Sequence, residues 1–556
     1  MHWIVTSLAA LQLTFGQTAQ PPGAPASTPA QVPAAATATL RGHVTAGDSG
    51  QPLRKAQVRL IQIGGFQPGA TGTGRENRLA TTDADGLYEF KDLPAGRYNL
   101  MATRTSYVGV QWGQRTPTEP GKPLEILAGQ TVERVDFTLP RGGVITGRIV
   151  DEFGEALSGI QISAVQSRMV NGQRQMAGGR SWSTDDLGEF RLYGIPPGQY
   201  YVQATWRRLG PGDPNSVDQT GYPQTYFPGT INVADAQRIT VAAGQTIGDI
   251  AMMLSAIKTA RVEGSVVDST GRPVTGASLM LGQTTPGGGS SWSGSSLRPD
   301  GTFVFASLAP GEYMLSIQPG QGAKETGSMK LTVGSEDIKD LRLVTAPPST
   351  VSGRLIVDPG QAQSLPHTLS LMAFLADGRA MGGLQPARVA DDLSFELTAT
   401  PGKNRININN LPPTWTMRAV RVSGIDVIDE GIEVKASENI RDVEIELTNK
   451  VTTVSGLVTN GRGEASRDYT AVIFSPDSKR WATGSRYTRT VRPDQDGRYK
   501  TTGLPPGDYL IVAIDRVQQG QASDPEFLER IRTNATSFSV SEGETKSVDL
   551  KVKTAS

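Results

Sequence analysis

Cysteine is missing from all 556 residues of this chain, which excludes disulfides, thiol nucleophiles and cysteine-held metals without fixing a compartment. Histidine is nearly missing as well. Only His2, His43 and His367 occur, and they form no His-x-x-Glu or His-Glu-x-x-His zinc signature. The serine-rich stretch from Ser290 to Ser296 contains no Gly-x-Ser-x-Gly, so it offers no nucleophile elbow. Gly287 to Gly289 is not followed by Lys-Ser or Lys-Thr and reads as a loop, not a phosphate cradle. Neither sign of charge is in excess: 54 Lys plus Arg balance 54 Asp plus Glu, so no global field draws the chain toward nucleic acid. These absences leave no catalytic residue, metal ligand set or cofactor motif to name, and the chain reads as a non-enzyme.

Turn-forming residues are abundant. The 64 Gly and 36 Pro suit a chain that reverses roughly every 8–12 residues. One motif is reused. Its first copy runs Asp85-Gly86-Leu87-Tyr88-Glu89-Phe90, then Leu93-Pro94-Ala95-Gly96-Arg97-Tyr98-Asn99-Leu100. Gly86 to Gly96, Gly188 to Gly198, Gly301 to Gly311 and Gly497 to Gly507 are each ten apart. Before the turn, Tyr88 and Phe90 recur as Phe190 and Leu192, Phe303 and Phe305, and Tyr499 and Thr501. After it, Tyr98, Leu100 and Ala102 recur as Tyr200, Val202 and Ala204, then Tyr313, Leu315 and Ile317, then Tyr509, Ile511 and Ala513. That period of two marks strands with one buried face, joined by a turn whose dihedrals proline and glycine preset.

The gap from Gly301 to Gly497 is 196 residues, against 102 and 113 for the other two, so a further copy is expected inside it. Asn404, Ile406, Ile408, Leu411, Pro412, Pro413, Trp415, Met417 and Ala419 fit, with Asn404 in place of the opening glycine. Asparagine is the usual non-glycine residue in the left-handed region. Leu411 to Trp415 is four positions against five for Leu93 to Tyr98, which predicts a distorted hairpin in this copy.

Each copy starts alike, at Arg41-Gly42-His43-Val44, Thr146-Gly147-Arg148-Ile149, Glu263-Gly264-Ser265-Val266, Ser352-Gly353-Arg354-Leu355 and Ser455-Gly456-Leu457-Val458. With the short strands that end each copy, this makes roughly seven strands in about 100 residues, the spacing of an antiparallel sandwich. The expected fold is all-β, with five tandem antiparallel β-sandwich domains of prealbumin or Ig-like type at 39–141, 142–257, 258–347, 348–450 (divergent) and 451–556. One helix is expected in the last domain, capped by Asp524, opened by Pro525 and running to about Arg532, with Phe527, Leu528 and Ile531 apolar, to cover a sheet edge or end.

Trp3 to Phe15 is mostly apolar, too short to span a bilayer, and followed by the small residues Gly16 and Ala19, although only His2 stands in for a positive leader. Residues 1–19 therefore read as a signal peptide and 20–38, rich in Pro, Ala and Thr, as a linker. The protein is expected outside the cytoplasm: periplasmic, cell-surface or extracellular, with no transmembrane anchor. Lys479, Arg480, Arg486, Arg489 and Arg492 form a basic run that reads as a charged edge strand, with an anion site as the alternative. Asp83 with Asp85 and Asp494 with Asp496 read as Asx-stabilised turns, since a calcium loop needs more oxygen ligands at defined spacing.

The functional lead is aromatic. Gly178-Gly179-Arg180-Ser181-Trp182-Ser183 and Gly288-Gly289-Ser290-Ser291-Trp292-Ser293 place a tryptophan after a glycine-bearing loop, and Trp481 has a comparable polar setting. Tyr107 and Trp112 in the first domain and Tyr222, Tyr226 and Phe227 in the second lie in longer connections. Exposed rings can stack on sugars or partner surfaces; packed over the sandwich ends, the same rings are structural. Tyr107, Trp112, Trp182, Tyr226, Trp292 and Trp481 are the candidate ligand-binding residues.

The Asp-Gly-x-[Tyr/Phe]-x-Phe strand and the Leu-Pro-x-Gly-x-Tyr-x-[Leu/Val] that follows resemble the carboxypeptidase regulatory-like domains, a transthyretin-like or prealbumin-like sandwich also grouped with starch-binding-like and Cna B-type folds. The resemblance covers residues 39–552 and implies a secreted or envelope protein of bacteria. It implies no peptidase, because the catalytic zinc domain that such modules accompany is missing. The lysine-to-asparagine isopeptide bond of Cna B domains is not matched either, since the initial strands carry Arg148, Arg354 or no base. Two readings follow: a binding or adhesion protein presenting loops from a semi-rigid row of sandwiches to polysaccharide or an envelope protein, or a structural spacer of the envelope without a small ligand.

Overall fold

The structure, a computed structural model, describes residues 37–63, 77–117, 119–170, 173–206, 220–284, 290–318, 325–376, 386–482 and 484–554. The expected signal peptide and almost all of the linker lie outside the described residues. Strands dominate, and the one α-helix among the described residues is Pro525–Arg532. Buried side chains gather in clusters confined to single stretches of chain: Ala38 to Leu139, Ile145 to Leu254, Ala260 to Leu343, Val351 to Leu447 and Val454 to Leu550. We infer that each stretch is one module.

The modules share one wiring. The first strand, such as Gly143–Val150, pairs antiparallel with the strand before the Pro-Gly turn, Glu189–Ile195, and parallel with the last strand, Thr246–Met253. The same three-way pairing recurs around Ala38–Ala46, Ala260–Val267, Ser349–Ile356 and Thr453–Thr459. Most strand pairs are antiparallel, as expected, and this parallel pair is an addition to that pattern. Because the first and last strands run in the same direction, the chain enters a module at one end and leaves at the other.

The strand after the turn belongs to the other sheet: Gly96–Thr103 pairs with Gln57–Ile63, and Gly311–Gln318 with Ser278–Thr284. The Pro-Gly turn is therefore a corner between two sheets and not a hairpin. Tyrosine locks that corner. The hydroxyls of Tyr98, Tyr200, Tyr313 and Tyr509 donate to the carbonyls of Pro94, Pro196, Ala309 and Pro505, four residues back, at 2.6–2.7 Å. The rings themselves are buried in the core. At the strand openings, Asp83 and Asp494 each accept two backbone amides, so their carboxylates serve the turn.

The fourth module corrects the alignment proposed from sequence. Its corner strand is Gly402–Asn409, which puts Asn404 at the tyrosine position and not at the opening glycine. Asn404 Nδ2 donates to the Thr400 carbonyl at 2.6 Å, an amide doing what the hydroxyl does elsewhere. The opening position is Leu393, in the left-handed region at φ 66° where Gly86 has 74°. A residue has indeed been lost, but from the strand before the corner. In the first three modules that strand carries a left-handed bulge residue, Asp92, Gly194 or Ser307, with a register shift, whereas Ser394–Ala399 pairs with Ser349–Arg354 without one; in the fifth, the left-handed Gly503 follows the end of the strand. Thr416–Val422, which contains Met417 and Ala419, is an added strand on the last strand of the first sheet.

The glycine in each first strand has a reason that turn chemistry does not supply. A Cβ on Gly42, Gly147, Gly264, Gly353 or Gly456 would lie 1.8–2.1 Å from the carbonyl oxygen of Val135, Ile250, Leu341, Val443 or Val548 on the closing segment. Tyr88 and Tyr499 hydroxyls donate to that same carbonyl at 2.5 and 2.6 Å.

The helix has the expected bounds and cap, with Asp524 Oδ1 accepting the Glu526 amide at 3.0 Å. It covers a sheet face instead of an edge. Phe527, Leu528 and Ile531 pack on Val472, Phe474, Val512 and Ile514, while Ala471, Ile473, Ile511 and Ala513 face the sandwich core. Thr470–Phe474 is accordingly buried along its whole length.

Two outcomes follow. Gly353→Ala should cost about 1–3 kcal/mol in thermal unfolding, as overpacking does. Gly461→Ala, with nothing within 4 Å, should be close to neutral. Burial pushes the Tyr200 and Tyr313 hydroxyls up to about 12 from 10.0. Their stabilising contribution is thus complete below pH 10 and lost as pH rises toward 12, which alkaline unfolding followed by tyrosinate absorbance checks.

Candidate binding surfaces

The structure separates the six aromatic candidates. Tyr226 is 1% exposed and Trp481 4% exposed, so neither offers a face to a ligand. Trp481 lies in the cluster beneath the helix, its Nε1 donating to the Ser475 carbonyl at 2.7 Å and its ring edge-on to Phe474. Tyr226 packs with Val165 and Tyr201 on the second module. Tyr107 and Trp112 are half-buried against the core of the first module. Trp292 stands opposite Gly282 in the backbone register of its strand, and its side chain lies outside the described residues. Trp182 is different.

Trp182 is 53% exposed on the short strand Ser181–Ser183. Its ring lies 5.6 Å from that of Tyr193, edge to face at 62°, and the Arg191 guanidinium sits 5.7 Å from the Tyr193 centroid. The strand Glu189–Ile195 explains this placement. Phe190 and Leu192 point into the core, so Glu189, Arg191 and Tyr193 face outward, opposite Arg148, Thr146 and Val144 of the first strand. Thr146, Arg148, Trp182, Glu189, Arg191 and Asp249 line an open concavity of about 590 Å³ on this outer face. Tyr193 and Arg191 were missed from sequence, although the alternation that names Phe190 and Leu192 as core also turns these two outward.

A second polar assembly joins modules that are distant in sequence. Lys122, on the first module and almost buried, pairs with Asp468 of the fifth at 2.9 Å. Arg492 of the fifth donates to the Gly113 carbonyl at 3.2 Å and Gln495 to that of Glu125 at 3.1 Å. Arg115 donates to the Asp515 carbonyl. The fifth module therefore lies against the first, a contact that sequence spacing does not indicate. Burial lowers the Lys122 pKa, with Asp468 opposing it. Burial raises that of Asp468, but Lys122 outweighs it and holds the carboxyl below the ordinary value.

The basic run is dispersed by the fold. Arg489 opens Arg489–Val491, the edge strand of its sheet, while Arg492 is buried in the contact with the first module and Arg486 pairs with Asp429 of the fourth. Among the described residues, no three His, Asp or Glu side chains converge as a metal-binding group.

Asp468→Asn removes the charge facing Lys122, and the first-to-fifth contact should weaken by about 1–2 kcal/mol, between the values of exposed and buried pairs. Small-angle scattering should then report a larger radius of gyration at unchanged secondary structure. Acid acts in the same direction: the stabilisation from Asp468 is present above the ordinary aspartate pKa and lost as pH falls through its lowered one.

Residues 39–140 and 261–344 match the family model described as the carboxypeptidase regulatory-like domain. No curated protein matches the chain. Similar solved structures include the Bacillus anthracis TIE protein, at 15% identity over 56% of this chain and 51% of that one, with a TM-score of 0.15. The chain thus spans about half the length of the TIE protein. A streptococcal ancillary pilin is similar at 14% identity over 56% of this chain and 99% of the pilin, with a TM-score of 0.21. The minor pilin of Streptococcus agalactiae is similar at 14% identity over 40% of this chain and 98% of the pilin, with a TM-score of 0.22. With its repeated wiring, the chain is a tandem β-sandwich repeat protein, two segments of which match the carboxypeptidase regulatory-like domain model.

Proposed function

We propose that this is a non-catalytic, exported binding or adhesion protein whose second module holds carbohydrate on the outer face beside Trp182. The carrying observation is the exposed Trp182 indole packed against Tyr193 at the rim of a polar concavity. Single exposed apolar side chains are ordinary on a folded surface, and what sets Trp182 apart is its edge-to-face contact with Tyr193 beside a polar concavity. An indole can stack on the apolar face of a sugar ring, while Arg148, Glu189, Arg191 and Asp249 are placed to bond hydroxyls around it. The N-terminal apolar stretch supports export, and no helix among the described residues is long and apolar enough to cross a membrane.

A structural spacer of the cell envelope is the second reading, favoured by the contact that fastens the fifth module to the first. Retention on insoluble polysaccharides separates the two. Under the binding reading, the full chain is retained and Trp182→Ala loses most of that retention, about 1–3 kcal/mol for one stacked ring by the scale of fully burying an apolar side chain. A chain that passes through unretained, or is retained regardless of Trp182, leaves only the spacer.

A further inference from the structure

A cleft of about 650 Å³ lies between the fourth and fifth modules, and its wall carries seven cations against three carboxylates. Two of those carboxylates are engaged. Asp429 accepts Arg486 Nε at 2.7 Å and Nη2 at 3.2 Å, and also the Tyr487 hydroxyl at 2.8 Å. Glu542 lies 3.8 Å from Arg418 and accepts the Thr448 hydroxyl at 3.3 Å. Arg418 pairs more closely with Glu446, at 3.1 Å, whereas Arg489, Lys450, Lys479 and Arg480 are less fully neutralised. Arg489 is half-buried, and among the described residues its Nη1 donates to the carbonyls of Ser485 at 3.5 Å and Thr488 at 3.0 Å. Lys450 and Lys479 are exposed on the same wall, with no ion pair among the described residues. Arg480 is spread over the Tyr487 ring at 4.4 Å, with Asp477 as far as 3.9 Å away.

Burial, reinforced by the neighbouring Arg486 charge, pushes the Arg489 guanidinium below its ordinary pKa. Partial burial of such a group costs free energy, and an anion entering the cleft would offset that cost. Exposed lysines alone would be an ordinary solvated surface. Here they line the same concave wall as a partly desolvated arginine, where low dielectric strengthens each attraction.

We propose that this cleft binds a ligand carrying two or more closely spaced oxyanions, carboxylate or phosphate, held between Arg489 and Lys479 of the fifth module and Lys450 at the end of the fourth. The site is separate from the Trp182 face and does not depend on it. An anion held there bridges two modules and stiffens their junction.

Calorimetric titration of the full chain tests this, with trigalacturonate and tripolyphosphate as probes and maltotriose as the neutral control. Either anion should bind, and binding should fall at high salt. The Arg489→Gln, Lys450→Gln double variant should weaken it by at least about tenfold, as loss of a charge-assisted hydrogen bond does. Trp182→Ala should leave it unchanged. Binding of one probe alone assigns the carboxylate or the phosphate chemistry. Lys450→Gln alone, at an exposed position, serves if the double variant melts early. No binding of either anion at millimolar concentration, equal binding of maltotriose, or an affinity indifferent to these changes overturns the proposal.

Discussion

A backbone carbonyl of the closing segment rests against the first strand in every module, at a point where only glycine leaves room. That approach seats the closing segment, and the parallel pairing of first and last strands is built around it. A parallel pair of this kind puts entry and exit at opposite ends. Modules can then follow one another without a long return connection. Any Cβ at Gly147 or Gly353 would push the last strand outward and open the sandwich along its seam.

The corner is the second fixed point. A strand that leaves one sheet and enters the other must break its ladder, and the carbonyls exposed there need donors. Tyrosine supplies one from four residues downstream, filling core volume with the same side chain. The fourth module keeps the bond and loses the ring, through Asn404. Its core also contains Trp415.

On this architecture the wiring leaves particular surfaces free to vary. The Trp182 face uses outward positions of the first sheet, which the core does not constrain. The cleft beside Arg489 and the contact between Lys122 and Asp468 arise between modules, from residues that have no relation within their own repeat. Adjacent modules thus differ in what they present while agreeing in how they fold.

The sequence alone determined the all-β class, the repeating strand pattern and the helix from Pro525 to Arg532, because each follows from local chemistry: alternation, turn dihedrals and a cap. It was enough to single out Trp182 as an aromatic in a polar setting. It could not separate Trp182 from Trp481, since one lies in the open and the other beneath a helix some 45 residues further on. The Asn404 alignment failed for a related reason: asparagine suits both a left-handed turn and a side-chain donor, and only strand pairing tells which is in use. Tertiary structure alone decided the corner between sheets, the parallel closing strand, the return of the fifth module to the first and the cationic cleft. Each depends on backbone or charge brought together across large sequence separations, and local patterns carry no information about such meetings.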